Sequence, residues 1–257
     1  MKEIQRLLNE PNVDLTCQGN WKLKEMSEQL FLIAYNQGYI EIVKLILNDQ
    51  KIDVNKADKN DATPFYIACS KGHIEIVKLL LNDERVDINK SSYGRTPFNV
   101  AFQEGHIEIV KLLLGDERVD INKADKNGAT PFYIACSKGH IEIVKLLLND
   151  ERVDINKSSY GRTPFYVASQ EGHIEIVKLL LNDNRVDINK PNKDGETPFW
   201  CTCYYGYIEI VKLLLNDNQI STKKRTNFGK TAIDIAIDKK HSEIVKLIQE
   251  FDTGNYQ

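Results

Sequence analysis

A period of 33 to 34 residues runs through the chain, and no other feature limits its folding choices as strongly. Thr-Pro-Phe occurs at Thr63, Thr96, Thr130, Thr163 and Thr197, at spacings of 33, 34, 33 and 34. Gly-His-Ile-Glu-Ile-Val-Lys-Leu-Leu-Leu begins at Gly72, Gly105, Gly139 and Gly172. Weaker copies begin at Gly38 and Gly206, with Tyr in place of His, and a last one starts near His241. A longer period of 67 overlies the short one: residues 55–121 and 122–188 differ at only five positions, the mark of a recent duplication. A repeat of this length is one supersecondary unit that cannot bury its own apolar faces, so the units must stack.

Each unit reads as two helices and a loop. Thr63 is a good N-cap, and Pro64 suits the first helical position, where its missing N–H costs nothing. Ala68-Cys69 are small enough to let neighbouring backbones come close, and Gly72 stops the helix. His73 starts a second helix whose Ile74, Ile76, Val77, Leu79, Leu80 and Leu81 leave only Glu75 and Lys78 to solvent. A helix so broadly apolar is buried on more than one side. It ends at Asn82, matched by Gly115 and by Asn48, Asn149, Asn182 and Asn216. The Asn/Gly interchange predicts a left-handed C-cap with positive φ at Asn82, Asn149 and Asn182. Val86 to Asn89 reads as extended. A polar finger follows, with Gly94, Gly128, Gly161, Gly195 or Gly229 at its tip and Asp61 as the exception.

The run Gly-x-Thr-Pro-Phe-x-x-Ala-x-x-x-Gly-His-Ile-Glu-Ile-Val-Lys-Leu-Leu-Leu, closed by Val-Asp-Ile-Asn, resembles the ankyrin repeat. The resemblance covers about seven repeats over residues 17–251. It implies an all-α solenoid of antiparallel helix pairs, with hairpin-like fingers lining a concave face. On this reading residues 1–257 form a single domain, with an N-terminal half-repeat or cap at 1–16. Repeats then fall at 17–55, 56–89, 90–122, 123–156, 157–189 and 190–222, and a capping repeat at 223–257. The half-repeat fits either a cap or an array cut from a longer one. Gln249-Glu250, replacing Leu-Asn in the last helix, suits the C-terminal cap.

Three departures from the family pattern stand out. The usual Thr-Pro-Leu-His, whose His helps tie neighbouring repeats, becomes Thr-Pro-Phe followed by Tyr66, Asn99, Tyr133, Tyr166 or Trp200. Asn-Asp-Glu-Arg-Val lengthens the loop after the second helix. The first repeat has Gln29 to Phe31 for Thr-Pro-Phe, and about five extra residues around Trp21.

Composition excludes other classes. The chain is 42% apolar with a formal charge of −3, too apolar for disorder and without the basic footprint of a nucleic-acid binder. No apolar run approaches the roughly 20 residues needed to span a bilayer, and the first ten residues lack the apolar core of a secretory signal. Five Cys fit reduced thiols and a cytoplasmic location. His73, His106, His140 and His173 share one repeat position, so they point in parallel from successive layers and cannot converge on zinc. Cys69, Cys136 and Cys203 share another, and Cys201 and Cys203, two apart on a helix, do not face each other. No phosphate-cradling loop and no nucleophile motif is present. Catalytic and metal residues are expected to be none, and cofactors none.

A weak modification signal remains at Asn55, Asn89, Asn122, Asn156 and Asn189, which resemble asparagines hydroxylated in ankyrin repeats; the simpler reading is that they hold the finger's turn. What remains is a surface. The finger tips offer Tyr93, Arg95, Lys126, Asn127, Tyr160, Arg162, Lys193, Phe228 and Lys230. The ends of the first helices offer Gln103, Lys138, Gln170, Tyr204 and Tyr205. Tyr and Arg are enriched in binding hot spots, whereas tips merely copied by duplication would carry no such role. The resulting expectation is a non-catalytic, monomeric module that binds a partner protein, with no nucleic acid and no membrane insertion. The alternatives are an architectural spacer or spring within a larger protein and, more distantly, a Cys/His-based metal or redox enzyme.

Overall fold

The computed structural model describes residues 31–254. The expected half-repeat at 1–16, the insertion around Trp21, Cys17 and the last three residues lie outside the described residues. The chain divides into two compact units, 1–120 and 121–257. The first contains α1 (Ile40–Asn48), α2 (Pro64–Lys71), α3 (Ile74–Leu81), α4 (Pro97–Gln103) and α5 (Ile107–Leu114), preceded by helical residues at 31–37. The second contains α6 (Pro131–Lys138), α7 (Ile141–Leu148), α8 (Pro164–Gln170), α9 (Ile174–Leu181), α10 (Pro198–Tyr205), α11 (Ile208–Leu215), α12 (Ala232–Asp238) and α13 (Ser242–Asp252). Within each unit helix pairs stack as a solenoid: α2 on α4 and α3 on α5, then α6–α8–α10–α12 and α7–α9–α11–α13. Among the described residues there is no sheet, and no helix is long and apolar enough to cross a membrane.

Local chemistry accounts for the helix boundaries. The side chains of Thr63, Thr96, Thr130, Thr163 and Thr197 each accept the backbone N–H three residues on, at 3.0–3.2 Å, with Pro at the next position. That satisfies one of the donors every helix start leaves open. Gly72, Gly139 and Gly206 end their helices in the left-handed region. In the second helices the apolar excess is used as expected. Ile76, Val77 and Leu80 are fully buried, as are Ile176, Val177 and Leu180, while Glu75 and Lys78 form an exposed pair at 2.7 Å. Phe65, Phe98, Phe132, Phe165 and Phe199 of the Thr-Pro-Phe motif are buried to the same degree.

The exit from the second helix differs from the sequence reading. Asn82, Asn149 and Asn182 lie in the right-handed region at φ −80°, and Gly115 at φ −72°. The chain leaves through one tightened turn, in which the Asp83 N–H donates to the Leu80 carbonyl at 3.2 Å. The Asp83 carboxylate then accepts the Arg85 N–H at 3.0 Å, so no left-handed residue is needed to reverse the chain. Asn and Gly interchange here because the position is exposed and has ordinary right-handed dihedrals. Val86 to Asn89 is irregular, with Val86 and Ile88 buried and a turn at 88–89, rather than extended.

Candidate functional site

The fingers are of two kinds, which alternate from residue 58 to residue 196. At Ser92–Arg95 and Ser159–Arg162 the end residues exchange both backbone hydrogen bonds at 2.9 Å, and both central residues have positive φ: Tyr93 49° and Gly94 75°, Tyr160 51° and Gly161 79°. This is the type I′ hairpin turn, in which Asn-Gly is the favoured pair. A tyrosine held left-handed costs about 1–2 kcal/mol. At Asp58 and Asp125 the loop is longer, and the carboxylate holds it by accepting two N–H groups, from Asn60 and Ala62 and from Asn127 and Ala129, at 2.8–2.9 Å. Asp61 takes the tip position at φ 60°, where the other fingers carry glycine.

The strained tyrosines are on display. Tyr93 is 63% exposed and Tyr160 66%, and their hydroxyls donate to Asn60 Oδ1 and Asn127 Oδ1 at 3.2 and 3.0 Å, which fixes the rings against the preceding finger. Gln103, Lys126, Asn127, Lys138, Lys193 and Lys230 are exposed, whereas Arg95, Arg162, Gln170 and Tyr204 are half-buried. Arg162 lies 5.9 Å from the ring centroid of buried Tyr166, whose hydroxyl donates to Glu196 Oε2 at 3.2 Å and accepts from Asn192 Nδ2 at the same distance. Tyr166 thereby ties its helix to the next finger. Trp200, Tyr204, Tyr205 and Tyr207 form a chain of ring contacts with centroids 5.0–5.8 Å apart, and Lys239 Nζ sits 4.1 Å above Tyr204. Phe228, 81% exposed, stands at the tip of the last finger.

Three side-chain ladders hold successive layers in register. His106 Nε2 reaches the Ser70 carbonyl and His173 Nε2 the Ser137 carbonyl, each at 3.1 Å and each one repeat back. Asn55 Nδ2 donates to the Arg85 carbonyl at 2.6 Å while its Oδ1 accepts the Asp87 N–H at 2.7 Å. Asn89, Asn122, Asn156 and Asn189 span the same gap in the same way. These are the residues of the modification signal, and their amides bridge repeats rather than hold their own finger.

The third ladder was not anticipated from the sequence. Arg118 Nη2 donates to the Leu81 carbonyl and Arg185 Nη2 to that of Leu148, both at 2.7 Å, and Arg85 reaches Leu47 and Asp49. Each guanidinium thereby sits at the negative end of the helix before it. Each also grips its own loop's aspartate, as Arg185 grips Asp183 through Nε at 2.9 Å and Nη2 at 2.6 Å. The signal was an Arg recurring with the period just past a helix end, inside the loop read only as an elongation.

This arrangement has a consequence for acid stability. The side-chain hydrogen bond from the arginine, outweighing partial burial, holds Asp83, Asp116, Asp150 and Asp183 below the ordinary aspartate range. Folded-state values depressed in this way add stability that is complete above about pH 4 and lost as pH falls through the lower folded values. Arg185→Gln is therefore expected to lower the urea midpoint by a constant amount at pH 5–7, with the gap to wild type closing below pH 4. A gap unchanged down to pH 2.5 would show that the clamp does not set the Asp183 titration.

Cys69, Cys136, Cys201 and Cys203 are buried free thiols, and burial pushes Cys201 up to about 12. Among the described residues no three His, Cys, Asp or Glu side chains converge on a point that could hold a metal ion.

A sequence profile described as ankyrin repeats in three copies matches residues 30–125, 117–192 and 181–255. Among solved structures, the crystal structure of EF0377, an ankyrin repeat protein, superposes with a TM-score of 0.67 at 32% identity, covering 75% of this chain and 97% of that one. No curated protein sequence matches.

Proposed function

The chain belongs to the ankyrin-repeat family, and from that premise we propose that it is a non-catalytic scaffold that grips a partner protein with its fingers and the adjoining ends of its first helices. Ankyrin repeats generally serve as protein–protein interaction modules. The observation that carries the reading is the tyrosine at the type I′ tips. Asn would fit that turn without strain, yet Tyr93 and Tyr160 occupy it with two thirds of their surface in solvent. Local strain retained at an exposed aromatic is an outlier that favours a binding role over a spacer. In the C-terminal unit Tyr205 and Phe228 are exposed aromatics as well. The module is proposed to act as a monomer in the cytoplasm, which suits the reduced thiols.

The test uses substitutions that relax the backbone. Tyr93→Asn and Tyr160→Asn, combined with Arg95→Gln and Arg162→Gln, should leave stability within about 1 kcal/mol of wild type, because Asn-Gly suits the turn. In a quantitative pull-down from native lysate, the protein held specifically by the wild type should be recovered at least tenfold less by the variant. Equal recovery by both would remove the fingers from recognition and sink the proposal.

A further inference from the structure

In the C-terminal unit the four fingers form one continuous ledge. Ser159 Oγ and Tyr160 Oη donate to the backbone and side-chain oxygens of Asn127 at 2.9 and 3.0 Å. Gly161 lies so close to the next finger that a Cβ there would meet Lys193 Cγ at 2.7 Å. Asn227 then joins the last finger to the third, its N–H on the Asp194 carbonyl at 2.8 Å and its Nδ2 on the Lys193 carbonyl at 2.9 Å. Such a ledge needs no ordering when a partner arrives, which removes a cost of binding.

Charge on the ledge is sorted by direction. Its carboxylates are turned inward: Asp125 accepts two backbone N–H groups, and Glu196 accepts Asn192 Nδ2 at 2.7 Å and the Tyr166 hydroxyl at 3.2 Å. Asp194 is the exposed exception. The cations project instead. Lys126 and Lys193 are exposed, and 223–230 carries Lys223, Lys224, Arg225 and Lys230 with no carboxylate. Lys230 pairs with Asp238 at 2.8 Å and Lys223 with Asp252 at 3.5 Å, but both pairs face solvent, where such contacts are weak and readily exchanged. A chain of net charge −3 thus presents a positive strip bordered by exposed Tyr160 and Phe228.

We propose that this ledge docks an extended acidic segment of the partner protein, an inference that rests on the interaction-module reading above. Repeats stack at about 10 Å, and an extended peptide in the polyproline II conformation advances about 3.1 Å per residue with three residues per turn, so carboxylates at every third residue share one face and meet one finger each. Apolar side chains between them would lie against Tyr160 and Phe228. A long polyanion such as single-stranded nucleic acid fits less well. It would have to approach a net-acidic molecule whose loops after the second helices carry Glu151, Asp154 and Asp187 exposed.

The test uses the full chain and three fluorescent probes: an extended peptide with Glu at every third position, its Gln counterpart, and a single-stranded oligonucleotide. The Glu peptide should bind, weaken as salt rises, and lose about tenfold in affinity on Lys126→Gln, Lys193→Gln and Lys230→Gln combined, with the melting temperature unchanged. Equal binding of the Gln peptide, equal affinity of the triple variant, or displacement of the peptide by the oligonucleotide would each overturn the proposal. If the Glu peptide does not bind while tip-dependent capture of a lysate protein persists, the acidic preference is wrong and the interaction module stands. Loss of tip dependence in the capture would overturn the module reading itself.

Discussion

Gly139→Ala is expected to lower the stability of the protein by about 3 kcal/mol, against about 1 kcal/mol for Gly128→Ala. Both glycines have positive φ, 75° and 79°, so both substitutions force an L-residue into the left-handed region. They differ in what the new methyl meets. At Gly128 nothing lies within 4 Å. At Gly139 the Cβ would stand 2.8 Å from Cε1 and 3.0 Å from Nδ1 of His173, whose ring covers the turn from the next repeat. The ring must swing away, which breaks its 3.1 Å hydrogen bond to the Ser137 carbonyl and opens the contact between layers. The excess over Gly128→Ala therefore measures the His–Gly coupling. Urea melts of the two variants, and of Gly139→Ala in a His173→Ala background, check it. Without the imidazole the cost should shrink toward that of Gly128→Ala; equal costs for both glycines at the outset would show that the ring yields freely.

Asn156→Ala should cost about 2 kcal/mol, while Asn149→Ala, seven positions earlier, should stay within about 0.5 kcal/mol of wild type. The Asn156 amide donates to the Arg185 carbonyl at 2.7 Å and accepts the Asp187 N–H at 2.9 Å, so truncation leaves two backbone groups of the next loop without their partner. Asn149 is exposed at a helix end with right-handed dihedrals, and its replacement disturbs nothing. Thermal and urea unfolding of the two single variants separate the cases. Comparable losses would mean that the Asn ladder contributes little and that the exit turn has been misjudged.

These two asparagines show where sequence reasoning reaches and where it stops. The pattern singled out Asn149 for a special backbone state and read Asn156 as holding a turn within its own finger. Residue identity alone cannot separate the cases, because Asn suits a left-handed cap, an exposed helix end and a bridging amide alike. The arginine clamps were legible only in part: Arg85, Arg118 and Arg185 recur with the period, but their helix-end partners lie in the repeat before. The finger residues chosen for binding do lie at tips and helix ends, since polar variation within a rigid repeat marks surface. The strain at Tyr93 and Tyr160 carried no sequence signal, as tyrosine is not a residue that advertises positive φ.

What the amino-acid order determined by itself is the repeating unit: Thr-Pro starts, Gly stops, buried Phe and Ile-Val-Leu faces, and hence a stack of helix pairs. Those features rest on interactions within a few residues and on a period too regular to be fortuitous. Which His covers which glycine, which Asn bridges which loop and which Arg caps which helix were decided only in the tertiary structure. Their partners lie about 30 to 40 residues away and come within hydrogen-bond reach only once apolar burial has closed the layers.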